Sequence, residues 1–180
     1  MSRHIKSIIG FFFMNGVLAV ATFGQTTETR GPSAPIRPYI VKTKQSLADL
    51  ETRLQSDNKV EDLIGGAGMQ LRVAVQHDKK RDSSDAEVHD AADDVFYVLA
   101  GSAELTLGGK LENPLEKTPG EWKSAKIIDG TTFTIKKGDL IVIPHGTPHQ
   151  RVNSPGKQFS LLLLKIFAAP LPPPKETTRQ

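Results

Sequence analysis

The sequence predicts an all-β chain folded as a sandwich or barrel, with one short helix on its N-terminal side. Three observations carry this. From Met69 onward, short segments of β-branched or alternating apolar residues are separated by turn signals. One stretch alone repeats its apolar residues at helical spacing. The chain of 180 residues has 12 prolines and 15 glycines but only 6% aromatics, which favours many turns between short elements over a helical bundle. Its length suits about one domain, and 38% apolar with 24% charged residues suits one buried core.

The elements follow in chain order. Arg3, His4 and Lys6 precede an apolar run from Ile8 to Phe23, interrupted by Asn15, Gly16 and Thr22. This is the layout of a signal peptide over residues 1–24, cleaved after Ala21 or Gly24, and it predicts export to the periplasm or the extracellular space. A membrane span needs ~20 predominantly apolar residues, so no stable membrane insertion is expected after cleavage. Taking Arg3 and Lys6 from the 23 basic residues, and nothing from the 20 acidic ones, lowers the net charge from +3 to about +1. Nothing in that balance calls for nucleic acid, and Lys79-Lys80-Arg81, flanked by Asp78 and Asp82, reads as a solvated loop. The absence of cysteine excludes disulfides, thiolate metal sites and a cysteine nucleophile.

Residues 25–38 read as a flexible leader and 170–180, with Pro172-Pro173-Pro174, as an extended tail, leaving a domain over 39–169. Ser46-Leu47-Ala48-Asp49 has capping-box spacing with Asp in place of Glu, and Leu47, Leu50 and Leu54 then place a helix over 47–56. Strands are expected over 69–76, 86–90, 95–99, 103–107, 126–128, 131–135, 140–143, 149–152 and 159–167. Asp129-Gly130 signals a type I′ hairpin. Residues 111–121, with Pro114 and Pro119, read as an insertion placed to cap a pocket, and Gly65-Gly66-Ala67-Gly68 as a turn without the features of a dinucleotide site. The segment 159–164 is apolar on both faces and needs covering inside and out, which predicts a homodimer.

Two polar clusters could carry chemistry. In Glu87-Val88-His89 the polar side chains are two apart and share a face on a strand. A bend over Asp90 to Asp93 then resets the facing, so that Asp94, Phe96 and Val98 look one way and Val95, Tyr97 and Leu99 the other. The second cluster is Pro144-His145-Gly146-Thr147-Pro148-His149, where a sharp turn delivers His149 to the start of a strand. Imidazoles and carboxylates from two separate hairpins suit a divalent metal held inside a barrel. His145 is expected in an exposed turn, His77 on the surface at a strand end, Asp90 and Asp93 in turns, and Phe96 and Tyr97 in packing.

The pattern Gly138-x5-Pro144-x-Gly146-x2-His149-x3-Asn153 resembles the second motif of the cupin superfamily at every fixed position. The first motif is matched with two replacements: Glu87 stands in the first His position, His89 in the second, Asp94 in the Glu position, and Gly101 closes it. The resemblance covers residues 67–167. It implies a cupin-type jelly-roll β-barrel with metal ligands His89, Asp94 and His149. Glu87 is implied as a fourth ligand or, outside the ligand set, as a catalytic residue that moves a proton. Replacing His by Glu and Glu by Asp hardens the ligand set, favouring Mn, Fe(II) or Zn over copper. Asp is one methylene shorter than Glu, which leaves Asp94 as a ligand or as a group supporting one. Cupins include metal-dependent enzymes of oxygenase, lyase or isomerase type and non-catalytic binders of small ligands, and both readings stay open here.

Overall fold

The structure, a computed structural model, describes residues 34–35, 38–82 and 84–171. The expected signal peptide, most of the leader and nearly all of the proline-rich tail lie outside these residues. The chain divides into two units, Met1–Pro38 and Tyr39–Gln180, and the regular structure among the described residues lies in the second.

The helix α1 spans Lys44–Leu54. Its cap is Thr43, whose hydroxyl accepts from the backbone N–H of Ser46 at 3.1 Å, so the start falls earlier than the Ser46 expected from the sequence. Asp49 does not reach back to a cap; its carboxylate accepts from Gln45 Nε2 at 2.8 Å. Leu50 and Leu54 are buried against Val75, with Leu63, Leu99 and Leu162 around them.

Strands account for nearly all the remaining regular structure. The first half runs β1 (Lys59–Ile64), β2 (Leu71–Asp78), β3 (Ala86–His89), β4 (Ala92–Leu107), β5 (Lys110–Leu111) and β6 (Leu115–Thr118). The second runs β7 (Glu121–Ser124), β8 (Ile127–Ile128), β9 (Thr131–Lys136), β10 (Leu140–Ile143), β11 (His149–Asn153) and β12 (Phe159–Phe167). All pairings are antiparallel. The main path is β1-β2-β12-β4-β11-β3-β7-β6, with β9 and β10 also on β4, while β5 and β8 pair separately. The expected segments 95–99 and 103–107 are one strand, β4, whose first part pairs with β12 and β10 and whose second part pairs with β9 and β11. This one strand therefore joins the two sheets of the barrel.

The alternation expected after the bend holds. Ala92, Asp94, Phe96 and Val98 are buried, while Asp93, Val95, Tyr97 and Leu99 are less so. Tyr97 is 43% exposed, which corrects its expected packing role. Phe96, Val98, Leu105, Ile135, Ile143, Phe159, Leu161 and Leu163 fill the interior. Leu162 points the other way, onto α1, so the chain's own helix supplies part of the outer cover that β12 needs. Gly101 adopts φ +77°, and a Cβ there would lie 1.9 Å from the carbonyl oxygen of Gln158, which only glycine avoids.

Two expected turns and loops differ. Asp129-Gly130 does not close a hairpin, because β8 pairs with β5 and β9 with β4; Asp129 takes φ 58° but Gly130 does not share the positive φ that a type I′ turn needs. Residues 111–121 are not a plain insertion either: β6 and β7 form a hairpin that pairs onto β3. The first strand, β1, has no counterpart in the sequence reading.

Candidate metal centre

Three strands and one turn assemble the site. Glu87 and His89 lie on β3, Asp94 near the start of β4, and His149 at the start of β11. The glycine of the second motif fixes their spacing: Gly146, at φ +75°, donates its backbone N–H to the carbonyl of His89 at 2.8 Å. Asp90 N–H likewise donates to the carbonyl of Gly120 at 2.8 Å, tying the end of β3 to the β6–β7 turn. His149 sits directly opposite Glu87 in the β11–β3 pair, so both side chains project on one face.

One ligand atom each from Glu87, His89 and His149 lie within 4.8 Å of one another. The His rings are 5.1 Å apart between centroids. Asp94 stands beside this set, its Oδ2 3.4 Å from His89 Nε2 and 3.6 Å from His149 Nε2. All four residues line one cavity of about 330 Å³. An outer cleft of about 530 Å³ adjoins it, sharing Arg81, Ser84, Glu87 and Lys123.

The hydrogen bonds set the imidazole tautomers. His89 Nδ1 is 2.5 Å from Glu121 Oε2, and a carboxylate only accepts, so Nδ1 carries the proton. His149 Nδ1 donates to the carbonyl of Thr147 at 3.0 Å in the same way. Both Nε2 lone pairs therefore face the cavity, and a backbone or carboxylate acceptor behind a ring is the arrangement that orients metal-binding histidines. His149 Nε2 and Asp94 Oδ1 are buried without hydrogen-bond partners. Buried acceptors of this kind fit a bound cation.

The charges agree. Burial, the largest influence, lowers the His149 pKa and keeps the ring neutral. Burial, the largest influence, and the Lys165 charge lower that of His89, but Asp94 and Glu121 outweigh them and raise it overall. Burial pushes Glu87 up while the Lys123 ammonium pulls it further down, leaving a carboxylate. For Asp94 the burial penalty is likewise exceeded by His89 and Lys165.

Several residues at the site had no sequence signal, and each is a cross-strand neighbour of one that did. Glu121 faces His89 and Lys123 faces Glu87 across β3–β7; Lys165 faces Asp94 across β12–β4. The Lys123 ammonium pairs directly with Glu87. The stretch expected as a solvated loop divides: Lys79 and Lys80 are exposed, whereas Asp78 is buried and Arg81 lines the cavity. Asp78 bonds Arg151 at 2.6 Å and Arg81 at 3.2 Å. His77, expected on the surface, is buried with Nδ1 2.7 Å from Ser160 Oγ. His145 is exposed as expected, paired with Asp93 at 2.7 Å, away from the cavity. Asn153, the last residue of the second motif, donates to the carbonyls of Asp78 and Lys157 at 3.0 and 3.2 Å, so it closes a loop and is no ligand.

Fold and site together define a double-stranded β-helix with an interior cluster of imidazoles and carboxylates. This is the cupin fold. No protein-family model matches the chain, and no curated protein matches it by sequence. Among solved structures it is similar to the BH2720 protein of Bacillus halodurans, at 19% identity and a TM-score of 0.51 over 77% of this chain and 86% of that one. It is also similar to the Cnp3 cupin domain of Schizosaccharomyces pombe, at 16% identity and a TM-score of 0.45 over 61% and 64% of the two chains. A conserved protein with a double-stranded β-helix domain from Klebsiella pneumoniae gives 17% identity and a TM-score of 0.45 over 64% and 76%.

Proposed function

We propose that the barrel binds one divalent metal ion on His89, His149 and Glu87, with Asp94 alongside, and acts on a small molecule entering through the outer cleft. One observation carries this reading: two imidazoles with tethered Nδ1 atoms turn their Nε2 lone pairs toward the half-buried Glu87 and the buried Asp94. Mixed nitrogen and hard oxygen donors favour Mn, Fe(II) or Zn. When bound, such an ion supplies a Lewis acid and an open coordination position. The chain's own residues do the rest. Glu87, held ionised by Lys123, accepts a proton at its carboxylate or ligates; Glu121 and Thr147 keep the rings in position; the apolar Phe96 and Leu163 close the cavity on its inner side.

The test is metal analysis of the purified chain, repeated on His149→Ala and Glu87→Ala. Stoichiometric metal that disappears in His149→Ala supports the metal centre. A metal-free chain that stays metal-free after incubation with Mn(II), Fe(II) and Zn(II) overturns it. Metal retained in Glu87→Ala assigns Glu87 to proton transfer. Oxygen uptake and product analysis on small carboxylates and phenols then separate catalysis from ligand storage.

The charged-then-apolar start of the chain supports export, tested by N-terminal sequencing of the mature protein. Leu140 sits opposite Tyr97 across β10–β4 and Val142 lies two residues on; these exposed apolar side chains support pairing with a second copy, tested by light scattering across a concentration series.

A further inference from the structure

The cavity contains a lysine where the metal reading would place a cation. Lys165 Nζ lies 2.9 Å from His89 Nε2 and 3.5 Å from Asp94 Oδ1, and its side chain is 13% exposed. With the Nδ1 proton committed to Glu121, His89 Nε2 has a single lone pair, and one lone pair serves one partner. Lys165 uses it. A metal on His89 and the ammonium on His89 are therefore mutually exclusive. Displacement leaves three N–H donors in a buried space facing a divalent ion. Asp94 Oδ1, the remaining acceptor nearby, makes no hydrogen bond in the present arrangement.

The charge pairing sharpens this. In the protein without metal, every cation along the cavity has an acid: Arg72 pairs with Asp62, Lys123 with Glu87 and Lys165 with Asp94. Arg81 and Arg151 share Asp78. A divalent ion would bring two further positive charges and draw Glu87 away from Lys123. Lys123 would then face the cavity without its acid, and Lys165, released from His89, would keep only the Asp94 carboxylate. Lys165, 13% exposed, would then hold spare N–H donors beside two added positive charges, and charge left without compensation in so buried a place favours a negative partner.

We propose, building on the metal reading above, that Lys165 is a displaceable anchor: it leaves His89 when metal binds and then holds an anionic oxygen group of a ligand seated beside the ion. The ligand class is a small carboxylate or phosphate that fits about 330 Å³. Metal and anion consequently bind with positive coupling, each strengthening the other by the same factor.

The experiment measures Mn(II) affinity from the free-ion electron paramagnetic resonance signal. It compares the wild type with Lys165→Met, each alone and with malonate, inorganic phosphate or the neutral analogue malonamide. In the wild type, malonate or phosphate tightens Mn(II) binding on the order of tenfold, and malonamide does not. Malonate alone doing so identifies a carboxylate site, phosphate alone a phosphate site. Lys165→Met binds Mn(II) several-fold more tightly than the wild type, because the competitor is gone, and loses most of the anion effect. Lys110→Met, an exposed lysine outside the cavity, behaves as wild type. Lys165→Gln repeats the measurement if the Met variant fails to fold. If Mn(II) binds the wild type and the variant alike, or the anion effect survives in the variant, the anchor is refuted while the metal centre stands. If neither protein binds Mn(II), the metal reading fails and the anchor with it.

Discussion

His89 and Glu121 face each other across β3 and β7, with Nδ1 2.5 Å from Oε2. The contact leaves the lone pair of the other ring nitrogen on the cavity side, where Lys165 meets it, and makes the imidazole a better electron donor. Glu121→Gln keeps the shape but weakens that hydrogen bond. Metal affinity should fall about 10- to 100-fold, the usual cost of losing such a supporting group, with the fold unchanged by circular dichroism. An unaltered dissociation constant would mean that Glu121 does not orient the ring.

Acid should destabilise the protein through His77. Burial outweighs Asp78 and Glu51 and lowers its pKa, so the native ring is neutral where the unfolded ring, with a pKa of about 6.5, takes up a proton. The unfolded state then binds more protons, and stability falls as pH drops through about 6.5 toward the native-state pKa. His149, lowered by burial, adds to the same slope in the metal-free protein. Urea unfolding at about pH 7.5 and about pH 5.5 should give a smaller loss in His77→Asn than in the wild type. Equal losses would remove His77 from the explanation.

Asp78 is the one carboxylate shared by Arg151 and Arg81, and Arg151 is also stacked 4.7 Å above the ring of Phe159. Burial raises the Asp78 pKa, but the two guanidiniums and Gln76 lower it overall, so it is charged at neutral pH. Asp78→Asn strands a buried guanidinium and should cost roughly 3–5 kcal/mol. Adding Arg151→Met should recover part of that loss in the same urea series. A single variant within about 0.5 kcal/mol of wild type would contradict the buried-pair account.

Gly101→Ala should be among the most damaging single substitutions outside the site. The left-handed backbone alone costs a side chain about 1–2 kcal/mol, and the new Cβ would meet Gln158 backbone at 1.9 Å. A loss of about 3 kcal/mol or more, or failure to fold, is expected from thermal unfolding.

Much of this architecture was readable because its signals are local. The alternation after Asp94, the turn that delivers His149 and the run of β12 are each written in consecutive residues. Thr43 is as good a cap by residue type as Ser46, and only the Asp49 spacing favours Ser46; in the fold Thr43 accepts the Ser46 N–H. Lys123, Glu121 and Lys165 were not readable. Each earns its place through register with a strand far off in sequence, and a shift of one residue in that pairing would send it to the opposite face. β1 and the β6–β7 hairpin carry mostly polar side chains, so hydrophobic pattern says little about them. His77 and Asp78 misled for a related reason: polar residues at a strand end read as surface until partners such as Ser160 and Arg151 arrive from elsewhere in the chain.

The position of β12 bears on the order in which the molecule matures. It lies between β2 and β4, yet it is the last of the described strands in chain order. A nascent chain that has emerged only as far as β11 already owns His89, Asp94 and His149, but β2 and β4 have no partner between them and Lys165 has not arrived. Until β12 emerges, β2 and β4 expose unpaired edges. On the metal reading proposed above, the site would be walled in only after β12 has docked.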